Sequence, residues 1–121
     1  MIGVGLDVVD VERFRAALAR TPGLIDRLFT AGEAAYAAAA ADPAERYAVR
    51  FAAKEAVLKA LGLGLGAVGW HDIEVVRAPS GAPSLVLTGR ALRAAEDAGV
   101  ARWHLSLSHT ATVAQAIAIA E

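Results

Sequence analysis

One helical segment, from about residue 43 to Gly62, constrains the fold more than any other part of the chain. At 3.6 residues per turn its apolar side chains cover nearly the whole circumference, with Tyr47 and Phe51 on one arc and alanines over most of the rest. Such a helix is buried on almost all sides, so other elements have to surround it. Its charged residues therefore need an explanation; they are Arg46, Arg50, Lys54, Glu55 and Lys59.

The segments around this helix predict an α+β domain. Residues 2–9 alternate between an apolar face and a glycine-lined face and predict a strand, with Asp7 on the glycine side. Asp10 is a good N-cap for a helix over 11–20, and the capping box at 30–33 predicts the start of a second helix. Beyond the long helix, the pattern predicts strands at 72–78 and 84–88, a helix at 89–98 and an antiparallel hairpin from residue 102 onward.

Size and composition narrow the class of protein. A chain of 121 residues is expected to form one domain, residues 1–121. Its net charge of −1 argues against a nucleic-acid partner held by bulk charge, and the absence of cysteine excludes disulfides and thiolate sites. The acidic start is unlike a signal peptide and no stretch approaches membrane-spanning length. We therefore expect a cytoplasmic protein without a membrane partner.

Two carboxylates have no local structural role in this pattern. Asp7 lies near the end of a strand and Glu55 on a mostly apolar helix. Two oxygen ligands beside cationic residues suit Mg²⁺, which completes its shell with waters and substrate phosphates. The alternative for Glu55 is an ordinary salt bridge to Lys59 four residues on, which contributes about 0.2–0.5 kcal/mol. The spacing alone does not show that Asp7 and Glu55 meet.

A like-charged stripe runs along the same helix. Arg46, Arg50 and Lys54 are four residues apart, an arrangement that costs a few tenths of a kcal/mol per pair unless an anion lies against it. A solvated basic face is the alternative.

His109 lies beside the last turn, where the pattern alone favours a structural role.

Four stretches, in this order and spacing, resemble the holo-[acyl-carrier-protein] synthase family of phosphopantetheinyl transferases. They are GVGLDVVDVERF near the start, RFAAKEAVLKALG in the long helix, DIEVV after it and WHLSLSH near the end. The resemblance covers essentially the whole chain, and the first two motifs are specific in combination. It implies a single domain of the 4′-phosphopantetheinyl transferase type, with a small antiparallel sheet packed on a long central helix.

The resemblance also implies a reaction and its residues. The 4′-phosphopantetheine of coenzyme A would pass to a serine of an apo acyl carrier protein, with release of adenosine 3′,5′-bisphosphate. Asp7 and Glu55 match the Mg²⁺ ligands, and Lys59 matches a lysine that contacts the pyrophosphate. The remaining residues predicted to bind the coenzyme are Arg50, Lys54, Pro83, His109 and Thr110.

Two kinds of partner follow from the same resemblance. The family is typically a homotrimer with coenzyme A at the subunit interfaces. The first helix resembles the carrier-docking helix of the family. It carries Arg13, Arg15 and Arg20, with Arg27 just beyond it, and these arginines would attract an acidic carrier protein. Two alternatives stay open, a Mg²⁺-dependent hydrolase of nucleotide pyrophosphates and a non-catalytic module that binds coenzyme A.

Overall fold

The computed structural model describes residues 1–121 and has an α+β architecture with antiparallel sheets. The elements are β1 (Gly3–Asp10), α1 (Val11–Arg20), α2 (Leu24–Leu28), α3 (Ala31–Ala38), α4 (Pro43–Ala60), β2 (Ile73–Arg77), β3 (Pro83–Leu87), α5 (Gly89–Asp97), β4 (Trp103–His109) and β5 (Val113–Ala120). A 3-10 turn at Trp70–Asp72 precedes β2. None of the helices is both long and apolar enough to cross a membrane.

Two antiparallel sheets surround α4. The larger has the strand order β1-β5-β4, and its register pairs Asp7 of β1 with Ala116 of β5. The smaller is the hairpin of β2 and β3. The predicted strands, the hairpin at the end of the chain and the helix after β3 are all confirmed to within two residues.

The glycine-lined face of β1 lies directly against α4. A Cβ atom at Gly3 would overlap the carbonyl oxygen of Ala60, and one at Gly5 would overlap that of Ala56. Only glycine permits this approach of strand backbone to helix backbone. Because Asp7 follows on the same face of the strand, it is directed toward α4 as well.

The apolar face of β1 is exposed. Val4, Leu6 and Val8 are 52%, 55% and 58% exposed, and Val113 and Ile117 of the neighbouring strand β5 lie beside them and are also exposed. We call this surface, formed by Val4, Leu6, Val8, Val113 and Ile117, the apolar sheet face. A run of exposed aliphatic side chains on adjacent strands is a feature of association surfaces rather than of monomers.

Two helices begin with the caps that the sequence predicts. The Asp10 side chain accepts a hydrogen bond from the Arg13 amide, and Thr30 and Glu33 form the predicted capping box. Asp42 stands at the start of α4 but makes no side-chain cap; its carboxylate instead accepts two hydrogen bonds from Arg15, at 2.7 and 2.8 Å. The short helix α2 was not predicted.

Candidate active site

The predicted metal ligands and the predicted phosphate-binding lysine lie together. Lys59 Nζ is 2.9 Å from Asp7 Oδ1 and also donates to the carbonyl oxygen of Leu6 at 2.9 Å. Glu55 lies one helical turn before Lys59 on α4 and is close enough to Asp7 for the two charges to interact. The structure thus brings a strand residue and two helix residues into one cluster, which spacing alone does not show.

The electrostatics of this cluster suit a divalent cation. Burial, and then the neighbouring negative charge of Asp7, raise the pKa of Glu55, whereas the hydrogen bond to Asp7 raises the pKa of Lys59. Two carboxylates that repel each other are stabilised by a bound cation. No group of three or more histidine, cysteine or acidic side chains is gathered anywhere in the chain. Two oxygen donors with room for phosphates and waters fit Mg²⁺ better than metals that need a complete protein cage.

A second group of functional side chains lines a cavity of about 440 Å³ on another side of α4. Pro83 at the start of β3 and His109 at the end of β4, both among the residues predicted to bind the coenzyme, form part of its wall. His109 Nδ1 is 3.7 Å from the Glu45 carboxylate. The cationic wall consists of Arg46, Arg50 and Arg77.

Arg50 is the most informative residue of this cavity. It is only 5% exposed, and its Nε atom is buried without a hydrogen-bond partner. Burial lowers the pKa of the Arg50 guanidinium, so part of its hydration has been lost without full replacement. An oxyanion in the cavity is the kind of ligand that would supply the missing acceptor.

Sequence reasoning missed two members of this group. Tyr36 on α3 and Arg77 on β2 both line the cavity, and Arg77 Nη1 donates a hydrogen bond to the Tyr36 hydroxyl. A signal for Tyr36 was present, because it is the one large side chain in the alanine run from residue 34 to 41. Nothing in the sequence distinguished Arg77, because a charged residue at the end of a short strand is common.

The predicted contact of Lys54 with the coenzyme is inconsistent with the structure. Lys54 is 0% exposed, and its ammonium group is 2.7 Å from Glu33 Oε1 and donates to the carbonyl oxygens of Trp70 and Ile73 at 2.9 and 2.5 Å. All three donors of the ammonium group have protein acceptors. Lys54 therefore joins α3, α4 and β2 inside the fold and is not available to an external phosphate.

Thr110 also has a structural role in this chain. Its hydroxyl accepts hydrogen bonds from the amides of Thr112 and Val113 at 3.2 and 3.1 Å, which shape the turn between β4 and β5. The side chain is exposed and does not line the cavity. A contact of Thr110 with the coenzyme stays a prediction.

The carboxylate cluster and the arginine cavity occupy different faces of α4. Successive residues of a helix turn by about 100°, so Arg50 and Glu55 are directed roughly 140° apart and Arg46 and Glu55 roughly 180° apart. The body of the helix, about 10 Å wide with its side chains, lies between the two groups. One chain thus presents the carboxylate cluster and the arginine cavity in different directions. We call these two groups the half-sites.

The predicted docking arginines divide into free and paired groups. Arg13, Arg20 and Arg27 are exposed and form no salt bridge. Arg13 and Arg20 line a second cavity of about 440 Å³ between α1 and the end of β1. Arg15 is already bound by Asp42 and by Glu12, so less of its charge is available to a partner.

A carboxylate pair beside a lysine, together with an arginine-lined cavity, is typical of proteins that bind phosphate groups. Comparison with known proteins agrees: a model described as the 4′-phosphopantetheinyl transferase superfamily matches residues 3–119. The holo-[acyl-carrier-protein] synthase of Frankia casuarinae is 54% identical over 121 residues, 100% of this chain and 98% of that protein. The chain therefore belongs to the 4′-phosphopantetheinyl transferase superfamily.

Solved structures show the same fold. The holo-[acyl-carrier-protein] synthase of Neisseria meningitidis has a TM-score of 0.90 and 30% identity, over 100% of this chain and 98% of that one. The synthase of Bacillus anthracis, crystallised in complex with CoA (3′,5′-ADP), has a TM-score of 0.82 and 32% identity, over 99% and 96% of the two chains.

Proposed function

We propose that this protein is a holo-[acyl-carrier-protein] synthase formed by residues 1–121 as one transferase domain. It transfers 4′-phosphopantetheine from coenzyme A to a serine of an apo acyl carrier protein and releases adenosine 3′,5′-bisphosphate. The observation that carries the proposal is the joint presence on α4 of the carboxylate–lysine cluster and the arginine cavity, in a chain whose relatives bear this name. A cytoplasmic location stays a prediction.

The arginine cavity is the proposed site for the adenosine end of coenzyme A. Arg50 and His109 are directed into it, so they can bind the 3′-phosphate, and Pro83 can pack against the adenine. Arg46 lines the same cavity, although the helix pattern alone was also compatible with a solvent-exposed position for it. The partnerless Nε atom of Arg50 supports an anion at this position.

The carboxylate–lysine cluster is the proposed site for the pyrophosphate. Asp7 and Glu55 would hold Mg²⁺, which when bound neutralises charge on the two phosphates. Lys59 is about half exposed at the end of a flexible stem, so its ammonium group can reach a phosphate oxygen beside Asp7. There it stabilises the negative charge that develops on the departing bisphosphate.

The reaction forms one P–O bond and breaks another. The serine hydroxyl oxygen of the carrier attacks the β-phosphate of coenzyme A, and the bond from that phosphorus to the bridging oxygen breaks, so the electron pair leaves with adenosine 3′,5′-bisphosphate. The serine proton needs an acceptor, a role open to the Glu55 carboxylate or to water.

We infer that the two half-sites belong to a shared site in a homotrimer. Because they are directed to different faces of α4, a coenzyme bound by the carboxylates of one chain can use the arginines of a neighbour. The apolar sheet face supports association, since its exposed aliphatic side chains are removed from water when chains pack together. The docking arginines of α1 remain outside this face and can attract an acidic carrier protein.

A mixing experiment tests the shared site. Glu55→Gln and Arg50→Leu chains are each expected to have little activity alone at a low concentration of coenzyme A. A mixture refolded together should regain activity, because some interfaces then combine two intact halves. Each variant refolded alone, at the same total protein concentration, is the control. A mixture that stays as inactive as its components would contradict a site formed between chains.

The transfer reaction is tested by the intact mass of an apo acyl carrier protein after incubation with this protein, Mg²⁺ and coenzyme A. A mass gain of one phosphopantetheine that is lost with EDTA is the expected result. Consumption of coenzyme A without a mass gain would instead indicate a pyrophosphate hydrolase, and binding of intact coenzyme A without turnover would indicate a binding module.

A further inference from the structure

Tyr36 lies at the centre of the three arginines of the cavity. The guanidinium carbons of Arg46 and Arg50 are 4.1 and 4.2 Å from the centre of its ring, and that of Arg77 is 5.4 Å away. Arg46 also donates to the backbone carbonyl of Tyr36 at 2.7 Å, and Arg77 donates to the phenolic oxygen. One side chain of α3 thus contacts cations from α4 and from β2.

Arg50 is buried, Arg46 is half-buried and Arg77 is exposed, and these arginines lack ion-pair partners. None of Arg46, Arg50 and Arg77 forms a salt bridge with a carboxylate. Three like charges around one ring repel each other, and the contacts with the π face and the phenolic oxygen offset this repulsion only in part. The arrangement retains most of its positive charge for a ligand in the cavity.

The choice of a phenol at this position has a chemical consequence. A carboxylate would orient the guanidinium groups equally well, but it would neutralise them and compete with an incoming anion. A phenol orients them through its ring and its oxygen while staying neutral. The positive charge of the arginines also acts on the phenol itself. Burial raises the pKa of Tyr36, but the hydrogen bond from Arg77 and the charges of the arginines bring this pKa below its ordinary value.

We propose that Tyr36 is a positioning residue that holds Arg77, together with Arg46 and Arg50, as a cradle for the 3′-phosphate of coenzyme A. Arg77 is then a third cationic group for this phosphate, supplied by the small sheet. The cradle makes the enzyme prefer coenzyme A over its 3′-dephospho analogue. The inference rests on the proposed function, because that function supplies the ligand.

The variant Tyr36→Phe tests the inference with little change in shape. It keeps the ring against Arg46 and Arg50 but removes the acceptor for Arg77. We expect the KM for coenzyme A to rise about five- to tenfold with kcat nearly unchanged, as for loss of one charge-assisted hydrogen bond. The KM for 3′-dephospho-coenzyme A should stay as in the parent protein, since that substrate lacks the phosphate concerned.

A double variant separates positioning from mere stability. If the Tyr36 hydroxyl acts through Arg77, then Tyr36→Phe should have no further effect on KM in an Arg77→Ala background. Tyr47→Phe is the matched control, because its hydroxyl lies in the core, 3.5 Å from the carbonyl oxygen of Ala34. An equal rise in KM for both substrates, or no rise for either, would overturn the inference.

A binding measurement distinguishes failure of the inference from failure of the proposed function. Calorimetric titration with adenosine 3′,5′-bisphosphate and with adenosine 5′-monophosphate needs no carrier protein. The parent should prefer the bisphosphate, and Tyr36→Phe should lose most of that preference. If the parent binds in this way yet never modifies a carrier, the proposed function fails and the cradle stands; equal preference in both proteins refutes the cradle.

Discussion

Replacing Lys54 by methionine tests whether this lysine is a structural residue or a ligand of the coenzyme. Methionine keeps an unbranched, apolar side chain of similar length, so the packing inside the fold changes little. What it removes is the ammonium group between Glu33 and the carbonyl oxygens of Trp70 and Ile73. The structure therefore predicts a loss of stability rather than a loss of coenzyme affinity.

The size of the loss follows from what remains. Glu33 keeps its hydrogen bonds from the amides of Thr30 and Val75 but loses its salt-bridge partner, in a position that is 1% exposed. Removing one partner of a buried ion pair costs about 3–5 kcal/mol of unfolding free energy. That is a large part of the roughly 5–15 kcal/mol that stabilises a typical domain, and it corresponds to a fall in Tm of more than about 10 °C.

Urea unfolding followed by tryptophan fluorescence measures this loss, at one protein concentration because association also stabilises the fold. Lys59→Met is the matched control: its ammonium group is about half exposed, so we expect a stability change below about 1 kcal/mol together with a loss of transfer. Folded Lys54→Met protein should bind coenzyme A as the parent does. If Lys54→Met instead unfolds within about 1 kcal/mol of the parent and loses coenzyme binding, the structural role is refuted.

Three further predictions concern the carboxylates, the association surface and pH. Asp7→Asn and Glu55→Gln should each lower transfer by at least about 100-fold with circular dichroism unchanged, and near-normal turnover of either would contradict the metal site. Leu6→Asp places a charge on the apolar sheet face, so light scattering should show a monomer; a persistent trimer would contradict the proposed interface. Arg15 lowers the pKa of Asp42, so their pair stabilises the fold above the ordinary carboxyl pKa and this contribution is lost as pH falls through the lower, folded value. The difference in Tm between the parent and Asp42→Asn should therefore decrease as the pH is lowered from about 5 to about 2. A difference that does not depend on pH would contradict the stabilising contribution of the Arg15–Asp42 pair.

Local chemistry explains why most of the fold was predictable. Asp10 and the capping box of Thr30 and Glu33 define helix starts through bonds within a few residues, and Gly62 ends α4 in a backbone conformation with φ of 69°. The short helix α2 has no side-chain cap and only five residues, so it left no comparable pattern. Signals of this kind are read from neighbours in the chain, and they fail where a helix depends on tertiary contacts.

Which face of a strand packs against the core was less predictable. Alternation in β1 separates Leu6 from Asp7, but it does not say which face meets the core. The structure buries the glycine face because Gly3 and Gly5 allow backbone contact with α4, whereas the aliphatic face is exposed. In the sequence, an aliphatic strand face that stays exposed in the folded chain has the same pattern as a face that packs in the core.

The candidate site shows the same limit. Asp7 and Glu55 are 48 residues apart in the sequence, and only the packing of β1 on α4 brings them together. Family resemblance anticipated this meeting, since spacing alone could not. Lys54 was misassigned for a related reason: a stripe at four-residue intervals was interpreted as one anion-binding face, although an acidic residue from α3 pairs with its last member inside the fold.

The charges of α4 therefore serve three different purposes on one buried helix. Lys54 is neutralised from within the chain and holds the helix against α3 and β2, which fixes the direction of its other side chains. Arg50 on one face and Glu55 on another are then held at a constant angle, because a helix packed on several sides cannot rotate. Under the proposed function, a coenzyme that uses both groups would bridge two copies of this helix. If the proposed trimer forms, the apolar sheet face would also contribute to catalysis, because association of the chains would bring the two half-sites together.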